Sequence, residues 1–198
     1  MLVSDRMTTN PISIPRVATV GQALDVMDVQ GLRHLPVVDE KGSLVGILSE
    51  RDLLRARGDT SVQEVMTQDA ITVTEYTALE EAARILADHR MSLLPVVRHG
   101  KLVGIITETD LLEILLEQLG AREKGLRLTM LVPEEKGMLA SMTSEISKMG
   151  GNILSLSTFM GEDPTNRLVT VKVADVPREK LVAIMEALGM EIVDVREV

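Results

Sequence analysis

Leu44-Val45-Gly46-Ile47-Leu48-Ser49-Glu50-Arg51-Asp52-Leu53-Leu54 returns 58 residues later as Leu102-Val103-Gly104-Ile105-Ile106-Thr107-Glu108-Thr109-Asp110-Leu111-Leu112. Each copy reads as an apolar strand with a glycine, followed by a Ser/Thr-x-x-Asp motif that opens a helix. Upstream, Leu35-Pro36-Val37-Val38 returns as Leu94-Pro95-Val96-Val97 at an offset of 59. Further upstream, Arg6-Met7-Thr8-Thr9-Asn10-Pro11-Ile12-Ser13-Ile14 returns as Val65-Met66-Thr67-Gln68-Asp69-Ala70-Ile71-Thr72-Val73, again at 59. The offset drops by one because the turn Asp39–Ser43 is one residue longer than Arg98–Lys101. Matched blocks in one order, with one deletion in a turn, define an internal duplication.

Each repeat reads as strand, helix, strand, strand, helix. Thr19-Val20-Gly21-Gln22 and Thr77-Ala78-Leu79-Glu80 have capping-box form, which predicts helices running to about Gln30 and Arg90. Hairpins follow at Leu35–Asp39 with Leu44–Leu48, and at Leu94–Arg98 with Leu102–Ile106. A unit this small has a sheet face to cover, so the two repeats are expected to pack face to face. Gly58-Asp59-Thr60 is the expected hinge between them.

Composition narrows the function. The 198 residues are 45% hydrophobic, but Tyr76 and Phe159 are the only aromatics, so stacking platforms for single-stranded nucleic acid are missing. Net charge is −9: residues 1–120 carry 11 Lys/Arg against 18 Asp/Glu, and residues 121–198 carry 10 against 12. Neither part has the basic surplus of a duplex binder, and no nucleic-acid partner is expected. Apolar runs fall far short of a bilayer span, and Met1–Arg6 lacks signal-peptide form, so a cytoplasmic protein without membrane partners is expected. The absence of cysteine excludes disulfides, a thiolate nucleophile and a Cys-ligated zinc. His34, His89 and His99 form no metal-ligand pattern, and there is no Gly-x-x-x-x-Gly-Lys loop. Neither an enzyme nor a metal site is expected.

Met-Thr before a short strand, the Leu-Pro-Val-Val strand, and Gly-x-x-[Ser/Thr]-x-x-Asp closing the hairpin together resemble cystathionine-β-synthase-type (CBS) repeats, over roughly residues 1–117. The resemblance implies a Bateman-type pair that binds adenine nucleotides (AMP, ADP or ATP, with Mg possible beside ATP). It implies that Asp52 and Asp110 hold ribose, that Ser49 and Thr107 lie by the phosphates, and that Ile12-Ser13 and Ile71-Thr72 line the adenine. Read from the residues alone, Ser49-x-x-Asp52 and Thr107-x-x-Asp110 are also plain capping boxes, and a helix N-terminus offers free N–H groups to a phosphate. Arg33-His34 stands where the second repeat has Ser92-Leu93, and Arg51 stands where it has Thr109. The resemblance implies nonequivalent sites with these basic side chains toward phosphates; the alternative is a surface arginine and a half-buried histidine. S-adenosylmethionine is the weaker candidate, because a sulfonium has no use for these cations.

Beyond the linking glycines Gly120 and Gly125, the pattern changes to strand Leu126–Val132, helix Leu139–Met149, strand Asn152–Phe159, turn Gly161–Asn166, a strand through Val169, Val171 and Val173, a helix from Asp175-Val176-Pro177, and strand Met190–Val195. The order βαββαβ is a ferredoxin-like split βαβ sandwich, so the fold class is mixed α/β (α+β). The loop ending Gly137-Met138-Leu139 and the entry Gly150-Gly151-Asn152-Ile153 resemble an ACT domain over about residues 125–198. That resemblance implies side-by-side homodimers and an amino-acid site at the interface, at Lys136, Gly137, Met138 and Asn152. The loop departs from the frequent Asp-x-Pro-Gly form, and the alternative is a dimerisation module only. The expected domains are residues 1–58, 59–120 and 121–198. The CBS-then-ACT order resembles the acetoin-utilisation accessory proteins, which implies a regulatory ligand sensor acting on some enzyme of carbon use. The alternative class is an oligomerisation scaffold that binds nothing.

Overall fold

The computed structural model describes residues 1–161 and 163–198, in two compact units, Met1–Leu112 and Glu113–Val198. The expected turn Gly161–Asn166 includes Glu162, which lies outside the described residues.

The first unit opens with a 3-10 turn, Val3–Asp5, and two-residue strands β1 (Thr8–Thr9) and β2 (Ile14–Pro15). Helix α1 (Val20–Gln30), the hairpin β3 (His34–Val38) and β4 (Leu44–Ser49), and a four-residue helix α2 (Glu50–Leu53) complete the first repeat. The second repeat holds a short α3 (Val62–Val65), α4 (Leu79–His89), the hairpin β5 (Leu93–Arg98) and β6 (Lys101–Thr107), and the start of α5 (Glu108–Gln118). The two repeats exchange segments. Strand β1 pairs with β6 through Thr8↔Ile105 and Thr9↔Gly104. Reciprocally, Ile47 and Thr67 exchange both backbone bonds, at 3.0 and 2.9 Å. Bare glycines make this possible. A Cβ at Gly46 would stand 2.8 Å from Met66 Sδ and Thr67 O, and one at Gly104 would stand 2.7 Å from Met7 Sδ and 3.0 Å from Thr8 O. Met-Thr and Gly recur in both repeats because each Met-Thr segment lies on the other repeat's glycine.

Two local expectations need correction. Thr19 caps α1 in a complete box with Gln22, accepting Gln22 N at 3.3 Å and returning Thr19 N to Gln22 Oε1 at 3.0 Å. Thr77 does not do the same: α4 starts at Leu79 with Ala78 as its cap and no side-chain bond. Thr77 Oγ1 instead accepts from Thr74 N at 3.1 Å. The repeat offset of 59 aligns Thr19 with Ala78, so Thr77 falls one residue too early to cap. Nor is Gly58-Asp59-Thr60 a free hinge. Gly21 N donates to Gly58 O and Val20 N to Thr60 O, both at 2.9 Å, so the link lies across the first turn of α1.

The second unit carries β7 (Leu126–Pro133), α6 (Met138–Lys148), β8 (Asn152–Met160), β9 (Asn166–Ala174), α7 (Arg178–Ala187) and β10 (Glu191–Glu197). Its sheet has the order β10-β7-β9-β8, antiparallel throughout, which is the arrangement of a split βαβ sandwich. Alternation sends Leu128, Met130, Val169, Val171 and Val173 to one face, where Met142, Ile146, Leu181 and Met185 close the core. Leu139, where the expected helix begins, is 38% exposed, and Met138 packs on the core instead. Helix α7 starts at Arg178 with Pro177 as its cap, three residues later than Asp175.

Candidate nucleotide-binding cleft

The Ser/Thr-x-x-Asp motifs fold alike. Ser49 caps α2: Ser49 N and Oγ donate to Asp52 Oδ2 at 3.1 and 2.6 Å, and Asp52 N returns to Ser49 Oγ at 3.2 Å. Thr107 and Asp110 repeat this at 2.8, 2.7 and 3.2 Å. Both capping boxes are therefore formed. All the capping bonds to each aspartate fall on Oδ2, so Oδ1 remains as an acceptor for another donor. Capping and ligand binding by these aspartates are compatible.

The helices behind the motifs differ. Helix α2 is four residues long, whereas α5 runs eleven, enough for a developed dipole at its N-terminus. At the α5 end a cleft of about 390 Å³ is lined by Ile12, Arg33, His34, Ser92, Thr107 and Thr109, among others. Of the expected nucleotide residues, the structure thus gathers Ile12, Arg33, His34 and Thr107, with Asp110 bonded to Thr107. Its members come from both repeats, which follows from the exchange of β1 onto β6. Ser13 is half-buried beside Ile12 but is not among the lining residues.

The other expected residues do not line this cleft. Ser49, Arg51 and Asp52 stand at the start of α2, beside its Arg33-His34 edge: His34 pairs with Ser49 across β3 and β4, and Glu50 N donates to Arg33 O at 2.9 Å. Arg51 is exposed, and the cleft's lining holds Arg33 and Thr109. Thr72 lines a separate, open concavity with Asp69 and Gly46, and Ile71 is 36% exposed. In the second unit, Lys136, Gly137 and Met138 sit at the N-terminal end of α6, whereas Asn152 begins β8 beyond its C-terminal end. An eleven-residue helix spans roughly 16 Å, so one chain does not bring these four residues together.

Sequence reasoning missed Thr8 and Ser92 as cleft residues. Ser92 Oγ lies 3.2 Å from His34 Nδ1, an inter-repeat hydrogen bond between the positions where the repeats differ. The signal was present, since Ser92 is the counterpart of Arg33 and Met-Thr is part of the repeated block. Burial pushes the His34 imidazole below its usual 6.5, and Arg33 reinforces this, while Asp52 and Glu108 pull it upward. Among the described residues, no three His, Asp or Glu side chains gather as metal ligands, and no helix is long and apolar enough to cross a membrane.

Residues 3–59 and 62–117, more than half of the chain, match the CBS domain, and the chain belongs to the CBS-domain family. A curated relative is the magnesium transporter MgtE of Thermus thermophilus, 39% identical over 115 residues, 55% of this chain and 26% of that one. The cytosolic domain of the Mg2+ channel MgtE, solved in complex with ATP, matches at TM-score 0.51 and 38% identity, over 55% of this chain and 46% of that one. This chain thus spans about a quarter of the length of full-length curated relatives such as MgtE and about half of the solved MgtE cytosolic domain. The CBS domain-containing protein YhcV of Bacillus subtilis is 35% identical over 55% of this chain and 81% of its own length. An acetoin utilization protein, AcuB, from Vibrio cholerae matches at TM-score 0.58 and 36% identity, over 62% of this chain and 96% of that one. CBSX2 in complex with AMP matches at TM-score 0.55 and 32% identity, over 58% and 96%. The CBS pair of MJ0100, with 5′-methylthioadenosine and S-adenosyl-L-methionine, matches at TM-score 0.55 and 28% identity, over 62% and 98%. Solved neighbours of the tandem repeats thus hold adenosine-containing ligands.

Proposed function

We propose that the chain is a cytoplasmic, non-enzymatic regulatory sensor that takes an adenine nucleotide in the cleft at the start of α5. The observation that carries this reading is the convergence of Arg33, His34 and Thr107 on one cleft, beside an aspartate with one oxygen uncommitted. In this reading adenine lies along Ile12, the ribose hydroxyls donate to Asp110, and the phosphates meet Thr107, the α5 N-terminus and the basic pair Arg33-His34. Glu108 on the first turn opposes high phosphate charge, so AMP or ADP is the expected ligand, and ATP would enter with Mg. The Ser49–Asp52 motif, on a four-residue helix, is the weaker second site.

Residues 121–198 act as an ACT-like pairing module behind repeats 1–58 and 59–120. The protein is a homodimer, and an amino-acid site at Lys136, Gly137, Met138 and Asn152 requires two chains. Regulation of an enzyme of acetoin or related carbon use is the corresponding role, in line with the AcuB likeness.

Calorimetry with AMP, ATP and S-adenosylmethionine on the full chain tests the reading. Asp110→Ala and Asp110→Asn should weaken AMP about ten- to a hundredfold, as expected for loss of charge-assisted bonds of roughly 1.5–3 kcal/mol. Asp52→Ala should do less. Unchanged affinity in all three variants leaves only the capping role for both motifs. Tighter binding of S-adenosylmethionine than of AMP reverses the ligand assignment.

A further inference from the structure

The helix-free face of the C-terminal sheet is not a uniform polar surface. Register sorts it into three rungs. Arg127 pairs with Lys172, and Lys172 with Ser155; Thr129 pairs with Thr170, and Thr170 with Ser157; Leu131 pairs with Leu168, and Leu168 with Phe159. A cationic rung, a hydroxyl rung and an apolar rung therefore succeed one another along the strands. Over the first two rungs lies a cavity of about 380 Å³, of a size ordinarily seen for small-molecule sites. Lys172, Arg127, Ser157, Thr170, Phe159 and Leu119 line it, and every lining residue belongs to the second unit.

Lys172 is the unusual member. It is only 3% exposed, and its ammonium donates to a neutral group, Gly120 O, at 2.8 Å. An ammonium has three donors, and a buried cation is costly unless its charge is met by an anion. The carboxylate that reaches Arg127 is engaged elsewhere. Asp194 is held at 2.7 Å by both Nε and Nη2 of Arg196, and it lies 3.7 Å from Arg127. Ser155 Oγ donates to Leu119 O at 3.1 Å, which with Lys172 pins the end of α5 as one wall. Ser157 and Thr170 add hydroxyl donors, and Thr170 shares a 3.2 Å hydrogen bond with Thr129. Phe159, Leu119 and Ala121 provide apolar walls.

We propose that this cavity binds a small organic monocarboxylate with an apolar tail. The carboxylate lies between Lys172, Arg127 and the Ser157–Thr170 hydroxyls, and the tail lies toward Phe159 and Leu119. No lining side chain is acidic, so no side chain of the site partners an α-ammonium group, and a zwitterionic amino acid is disfavoured. It is distinct from the intersubunit amino-acid site considered above and does not depend on the nucleotide reading.

The test is calorimetric titration of the full chain with one carbon skeleton in three forms: 4-methylpentanoate, 4-methylpentanamide and leucine. The acid should bind, with the amide and leucine at least roughly tenfold weaker, the loss expected when a charge-assisted contact is removed or a buried ammonium is left unpaired. Lys172→Met should weaken the acid by about tenfold or more, Arg127→Gln by a few-fold, and Lys172→Arg should restore much of the loss. Circular dichroism checks folding of each variant. If Lys172→Met does not fold, Arg127→Gln together with the three-ligand series decides. Equal binding of acid and amide overturns the proposal, as does absence of heat from the acid at millimolar concentration or an unchanged affinity in Arg127→Gln.

Discussion

The two CBS repeats share a backbone plan and differ in where they place charge. In the second repeat, Glu75 is 3% exposed and Arg98 holds it in an ion pair, which keeps the carboxyl below its usual range. At the equivalent positions of the first repeat, the signs are exchanged, with Arg16 and Asp39. There Asp39 spends its Oδ1 on the turn, accepting Lys41 N at 2.9 Å and Ser43 N at 2.8 Å. One repeat thus uses the pair to neutralise a buried carboxylate, and the other uses it to shape a longer hairpin turn. The same division holds at the cleft, where the first repeat supplies Arg33-His34 and the second supplies Ser92 and the long helix. Duplication fixed the frame, and the departures from symmetry fall both at the hairpin turns and at the cleft.

The largest effect that would break this comparison is Arg98→Ala. It leaves Glu75 buried with Oε2 already unpartnered, whereas Asp39→Ala in the first repeat only loosens an exposed turn. The urea midpoint should fall further for Arg98→Ala than for any other variant here. The folded-state pKa of Glu75 is depressed, so its contribution is present above the unfolded carboxyl pKa and is lost as pH falls through the lowered value. Arg98→Ala should therefore flatten the acid limb of the stability–pH curve.

Next come the exchanged segments. Gly46→Ala and Gly104→Ala should each cost about 1–3 kcal/mol in urea unfolding, because the new methyl meets a backbone carbonyl as well as a methionine. Similar losses in the two would show that the exchange is symmetric, and a large difference would break that symmetry. The caps come third. Thr19→Ala should cost about 1 kcal/mol, whereas Ala78→Ser should gain some tenths to 1 kcal/mol by creating a Ser-x-x-Glu box with Glu81. A loss from Ala78→Ser would place the cap elsewhere. The smallest effect belongs to His34. Its lowered pKa contributes stability that is present above about pH 6.5 and fades as pH falls through the folded value, so His34→Gln should remove that slope. If phosphate meets His34, AMP binding near pH 6 should also take up a fraction of a proton, read from calorimetry in buffers of different ionisation enthalpy.

The sequence shows the duplication, both hairpins, the Ser/Thr-x-x-Asp boxes and the βαββαβ order of the second unit. These are local: strand alternation, turn glycines and a side chain reaching its own helix end all act within a few residues. It also carried the true start of α4, because the constant offset points to Ala78; Thr77 misled because a threonine one residue early still looks like a cap. Tertiary structure alone decided which repeat's Ile12 meets which repeat's Thr107, since a segment exchange cannot be read from periodicity within either copy. It alone joined Ser92 to His34 and buried Lys172 over a cavity, because each of these depends on strand register and on which sheet face a neighbour covers.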